Sequence, residues 1–259
     1  DYVSTATAGV YDPRTKELVV VGSELNENVR VTIIHELTHA LDDQHFDING
    51  EKYEDRDDEI GFTFTAVIEG SASLVETAYV QSLTADEQRA YLEQATEAAA
   101  GVDIDAIPPI LLIEQEFIYG NGAQLAFALD DAGGTDRIDE AFRDPPVTTE
   151  AVLEPDGYLA DGEDTDPVPA PPADGEVIDE GVAGQFLLEL LVNGRLGAGG
   201  VPEWSGDRYV VWEDGDSTCV SITYAGDAAE IEEALEDWQG RTGGSVERED
   251  GRVVIANCT

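Results

Sequence analysis

Val31-Thr-Ile-Ile-His35-Glu36-Leu-Thr-His39-Ala-Leu41 sets two imidazoles four residues apart inside an apolar, helix-forming run. On a helix the i and i+4 positions lie one turn apart on the same face, so two neutral imidazoles can reach one metal ion while Glu36 stands beside it. That spacing constrains the fold: the helix must border a cleft, and a further donor must arrive from another element. Val31, Ile34, Leu37 and Leu41 recur at helical spacing and are expected to bury one side of the helix, leaving the His35 and His39 stripe to face the cleft. The chain commits two of its three histidines to this one pattern. The competing reading is two histidines on an ordinary amphipathic helix.

A catalytic zinc site needs three protein ligands and an open position for water. Cys219 and Cys258 lie far down the chain in strand-like sequence, which disfavours a thiolate as the third ligand. His45 follows His39 by six residues, a rotation of roughly 240° that points it away from the ligand face. Glu69 is the better candidate. It lies in Ile68-Glu69-Gly70-Ser71-Ala72, in the middle of an apolar helix, where an unpaired carboxylate is costly and must be bound to something. The small residues beside it are expected to let its helix approach the histidine helix closely. The ordinary alternative is a buried ion pair with an arginine such as Arg56. With His35, His39 and Glu69 on the metal, zinc is the expected cofactor and Glu36 the general base. Tyr119, at a Gly-rich break, is the expected donor to a developing oxyanion, with His45 as the second candidate.

The chain carries 57 acidic against 13 basic residues, a formal charge of −44, and Lys16 and Lys52 are its only lysines. Such a surplus destabilises a compact state by self-repulsion, and at about 1 M salt the screening length falls to roughly 3 Å and most of that repulsion disappears. A halophilic protein is therefore expected. With 42% hydrophobic residues and long periodic segments, the chain is not an acidic disordered one. Nucleic acid and anionic membranes would both be repelled. No apolar run reaches transmembrane length; Ile107–Ile113 and Phe186–Val192 fall far short of about 20 residues. The absence of an initial Met leaves room for a removed export segment, and an even pair of cysteines without metal spacing favours a Cys219–Cys258 disulfide over two buried thiols.

Along the chain, residues 8–22 read as a hairpin turning at Asp12-Pro13. The histidine helix should start near Asn26 or Asn28 and run to about Gln44, with an acidic loop after it. Further helices are expected over 61–83, over 84–99 behind a Thr84/Glu87 capping box, over 110–118 with a break at Tyr119-Gly-Asn-Gly122, and over 136–142. Residues 155–177 shift to Pro, Gly, Asp and Ala and read as a linker or surface excursion. Beyond them lie an expected helix (178–193), strands (207–213 and 218–224), a helix (227–239) and a last strand (253–258).

The run His35-Glu36-Leu-Thr-His39-Ala-Leu-Asp-Asp-Gln-His-Phe46, followed by Glu69-Gly-Ser-Ala72, resembles the gluzincin type of zinc metallopeptidase, in which a downstream Glu completes a helix-borne His-Glu-x-x-His. More narrowly, it is similar to a group of poorly characterised prokaryotic metallopeptidases, often exported. The likeness extends through Tyr119-Gly-Asn-Gly122, through Pro145 to Pro155, and through Trp204-Ser-Gly-Asp-Arg208. It implies His35, His39 and Glu69 as zinc ligands and Glu36 as base. Two departures stand out. Glu154 occupies the place before Pro155 where a His is expected, and 29 residues separate His39 from Glu69, more than in thermolysin-like enzymes, whose substrate cleft is therefore not carried over.

The expected architecture is α+β: a mostly helical zincin-like core with a small N-terminal hairpin (1–154), an acidic linker (155–177) and a small α/β C-terminal portion (178–259). The expected activity is zinc-dependent hydrolysis of a peptide or protein substrate at high salt, in an extracellular or cell-surface protein. The alternative is a non-catalytic extracellular binding or scaffolding module with a structural or vestigial zinc site. Glu36 speaks against it, since zinc binding alone has no use for a base between the ligands.

Overall fold

The computed structural model describes residues 8–22, 24–53, 56, 59–163, 165–193, 204–226, 231–249 and 251–259. It is α+β, and the chain divides into two compact units. The first comprises residues 1–54 and 62–145, the second 55–61 and 146–259. The sequence reading put the boundary at 154. Helix α7 (Thr149–Leu153) belongs with the second unit because it packs against helix α9 (Gly184–Asn193) there.

In the first unit, β1 (Gly9–Asp12) and β2 (Glu17–Val20) form the expected antiparallel hairpin, with Val10 opposite Val19. Helix α1 (Glu27–Phe46) follows, with Asn26 as its cap: the side chain accepts the Val29 N–H at 2.9 Å. The helix stops at Asp47, whose φ of 55° leaves the helical region. α1 packs against the hairpin and against α3 (Ala85–Ala99), whose Thr84/Glu87 capping box forms as predicted. Between them in sequence runs α2 (Ile60–Ser82). Then come α4 (Pro109–Gln115), a π-helical stretch (Glu116–Asn121), α5 (Gly122–Gly133) and α6 (Thr135–Arg143). Phe64, Phe117, Leu125 and Phe142 are fully buried; Phe62 stacks on Phe117, and Phe46 on Phe142, with centroids 4.6 Å apart in each pair.

Two expectations fail here. Leu37 and Leu41 are 50% and 54% exposed, so the leucine side of α1 is not the buried one. The inward face instead carries Val31, Glu36, Thr38, His39, Asp42 and Asp43, because a helix cannot turn both its histidine stripe and the leucines opposite it toward the same interior. At Tyr119-Gly-Asn-Gly122 the chain does not break but widens to π geometry and continues as α5. Gly122 serves packing rather than a turn. A Cβ on Gly70 would collide with the Gly122 carbonyl, and one on Gly122 with that of Ala66, so α2 and the start of α5 cross backbone to backbone.

The second unit contains α7, α8 (Pro155–Asp161), β3 (Glu176–Gly181), α9, β4 (Trp204–Asp214), β5 (Ser217–Gly226), α10 (Glu232–Thr242), β6 (Ser245–Glu249) and β7 (Arg252–Cys258). The five strands form an antiparallel sheet ordered β3-β4-β5-β7-β6. Leu188, Leu235 and Trp238 pack on Trp204, Ile222, Tyr224, Val253 and Ile255 to make its core. The helix expected over 178–193 begins only at Gly184. Residues 176–181 are an edge strand, exposed up to Gly181, and so lack the one-sided burial that marks most strands. Strand β6 was not foreseen, and α8 occupies the start of the expected linker. The helix expected over 227–239 is described from residue 231 onward, and residues 227–230 lie outside the described ones. Cys219 and Cys258 sit opposite each other on β5 and β7 and form the expected disulfide.

Asp207 accepts N–H groups from Ala183 and Gly184 at 2.8 Å and from the Trp204 indole at 3.1 Å, fixing the start of α9. Beside it, Glu59 lies against Gly184 (φ 73°), where any Cβ would collide with the carboxyl. Burial pushes Glu59 up to about 8; hydrogen bonds from Thr149 pull it down, and the carboxylates of Asp207 and Glu163 add to the rise. The folded state thus keeps a proton that the unfolded chain releases near 4.5, so stability falls as pH rises from about 4.5 to about 8 and levels off above that window. The slope within it is about 1.4 kcal/mol per pH unit. Glu59→Gln should flatten this dependence and melt higher than the parent at pH 9. Thermal unfolding at pH 5 and 9 in molar salt tests it, and an unchanged difference between the two melts would contradict the assignment.

Candidate metal centre

Helix periodicity places His35 and His39 on one face of α1, with ring centroids 4.7 Å apart. Helix α2 brings Glu69 between them. Its Oε2 lies 3.1 Å from His35 Nε2 and 3.3 Å from His39 Nε2, and the three donor atoms all fall within 4.8 Å of one another. Bonds of about 2.0–2.1 Å at a tetrahedral angle leave donor atoms roughly 3.4 Å apart, so these atoms are spaced to share one ion. Glu69 is therefore engaged with the two imidazoles, as the buried position demanded. Burial pushes its carboxyl up, but the hydrogen bonds and charges of the two histidines outweigh this and hold it down at about 2. Burial likewise pushes His35 down, and the carboxylates of Glu69 and Glu76 more than reverse this, raising it to about 10.

Of the small residues beside Glu69, Ser71 donates to Asp42 of α1 at 3.0 Å, a close approach to the histidine helix, whereas Gly70 accommodates the Gly122 carbonyl at the start of α5. Tyr119 lines the same cleft as the two histidines, its ring 6.3 Å from that of His35 and inclined to it by 30°. Burial, the charges of Glu69 and Glu36, and a hydrogen bond to Glu69 push its phenol well above its ordinary range, so it remains a neutral donor. His45 is exposed near the end of α1 and does not line the cleft.

Glu36 is 7% exposed and borders the cleft beside the ligand face. Burial raises its carboxyl above the ordinary range; the two histidines and the Tyr11 N–H pull the other way. Strand β1 closes over it. A Cβ on Gly9 would stand 2.6 Å from Thr32 Cγ2 and about 3 Å from Glu36, so only glycine admits this approach. The hairpin is tied down at the far end of α1, where the Tyr11 hydroxyl and the Lys16 ammonium both donate to Asp43 at 2.6 Å.

Glu76 was not foreseen. It lies seven residues after Glu69, two turns along the same face of α2, and its Oε2 is 3.1 Å from His35 Nδ1. Tyr91 of α3 donates to its other oxygen at 3.3 Å. This pairing orients the His35 ring so that Nε2 points at Glu69. The seven-residue spacing was a readable signal for Glu76; nothing local marked Tyr91. His39 Nδ1 is buried and has no partner among the described residues.

The cleft has a volume of about 480 Å³ and runs from β1 past both histidines to Tyr91, Gln115 and Tyr119. No protein-family model, curated protein or solved structure matches the chain. Among the described residues no helix is long and apolar enough to cross a membrane.

Proposed function

We propose that the protein is a zinc-dependent peptidase, with His35, His39 and Glu69 holding the ion and Glu36 acting as general base. The observation that carries this reading is the convergence of two imidazole nitrogens and one carboxylate oxygen on one point of a cleft wall, beside a separate buried carboxylate. A mixed nitrogen and oxygen donor set of three suits zinc with an open position. Bound there, zinc would polarise a scissile carbonyl and lower the pKa of a water toward about 7. Glu36, its proton affinity raised by burial, takes a proton from the attacking water and delivers it to the leaving amine. Tyr119 supplies a hydroxyl to the developing oxyanion. Glu76 holds His35 in register through both. A structural site would call for a fourth protein ligand, and among the described residues only three donors converge.

The net charge of −44 supports action in high salt, and the Cys219–Cys258 disulfide supports an oxidising, extracellular setting. The test combines metal analysis with digestion of a peptide library in molar salt, with and without chelator. One zinc per chain and chelator-sensitive cleavage are expected. Cleavage that survives removal of all metal, or a chain that takes up no zinc, would end this reading.

A further inference from the structure

The residues around the cleft carry a charge pattern that bears on the substrate. Glu36, Glu69 and Glu76 all line it, and among its described lining residues there is no lysine or arginine. Three carboxylates against one divalent ion leave a net negative charge. An acidic side chain or a terminal carboxylate placed along the cleft wall, away from the ion, would meet carboxylates and no lysine or arginine. Beyond His35 the wall carries Glu76, in contact with His35 Nδ1, and Tyr91, which donates to Glu76; Gln115 lines the same cleft. Glu76 is 30% exposed, and although it accepts from Tyr91 and contacts His35, each carboxylate oxygen has a second lone pair. The Tyr91 ring offers a surface for an aliphatic stem or a guanidinium plane.

Building on the peptidase reading, we propose that this wall is a subsite for a lysine or arginine side chain within a residue or two of the bond cleaved, with the cation meeting Glu76 and the stem lying on Tyr91. Substrates are then basic internal segments of a polypeptide, and acidic segments and free C-termini are rejected. Long-range attraction by the whole acidic surface would also favour cations, but it is screened over roughly 3 Å in molar salt, so a preference that persists there is local.

Gln115 provides the test, because it is exposed, lines the same cleft and holds no part of the metal cluster. Three matched fluorescent peptides carrying Lys, Gln or Glu at one such position are titrated by anisotropy in molar salt against the parent, Gln115→Lys and Gln115→Glu, with initial cleavage rates measured in parallel. The parent should bind the Lys peptide about tenfold more tightly than the Glu peptide. Gln115→Lys should erase or invert that ratio, and Gln115→Glu should widen it. Equal affinity for the Lys and Glu peptides, no binding of any peptide, or a ratio unmoved by both substitutions overturns the subsite. Charge-ranked binding without cleavage would instead sink the peptidase reading and leave the subsite standing, whereas cleavage without charge preference would do the reverse.

Discussion

Glu36→Gln should lower the peptide hydrolysis rate by about two to four orders of magnitude while leaving one zinc per chain. The substitution preserves volume, and the amide oxygen can still accept the Tyr11 N–H that now faces the carboxylate, so the wall of the cleft should stay in place. What is lost is a group that can take a proton. Glu36 is not among the three converging donors, and this is why its removal should separate catalysis from metal binding. The measurement is kcat on a library-selected peptide together with metal content. A variant that hydrolyses at the parental rate would remove Glu36 from the reaction.

Glu69→Ala should act on the other half of the site. Its Oε2 lies within 3.3 Å of both imidazole Nε2 atoms, so among the described residues the substitution leaves two converging donors, both on a single helix. Loss of an outer-shell partner typically costs 10–100-fold in metal affinity, so loss of a ligand should exceed about a hundredfold. Competition with a calibrated chelator reads this directly, and Glu36→Gln provides the control in which affinity should hold. Unchanged affinity in Glu69→Ala would mean that a different group completes the cluster.

The donor set was readable in the sequence for a physical reason. Two histidines at i and i+4 share a helix face whatever the tertiary structure, and a carboxylate amid Ile68 and Ala72 has to find a partner. The disulfide, the hairpin and the Thr84 capping box were likewise carried by local signals. What escaped was decided by packing. Leu37 and Leu41 fit an apolar periodicity, but His39, Asp42 and Asp43 took the inward face, because the cleft and the hairpin give those polar groups partners that water would otherwise supply. Gly122 looks like a breaker, and only the crossing with α2 reveals it as a contact surface. Glu76 was visible as a spacing, but its role depends on His35 Nδ1, and Tyr91 comes from a helix whose docking no local pattern encodes.

Strand β1 belongs to a sheet of only two strands, moored through Asp43 at one end and resting on α1 at Gly9. Ribbons of that size are marginal by themselves, so its place over the helix depends on those two anchorages. Were the ribbon removed, solvent would reach the carboxylate at position 36, the Tyr11 amide would be lost, and the affinity of that oxygen for hydrogen ions would return toward that of a free glutamate. The proton affinity of Glu36 is thereby coupled to an anchorage seven residues away along α1, where an ammonium and a phenol hold the ribbon to Asp43.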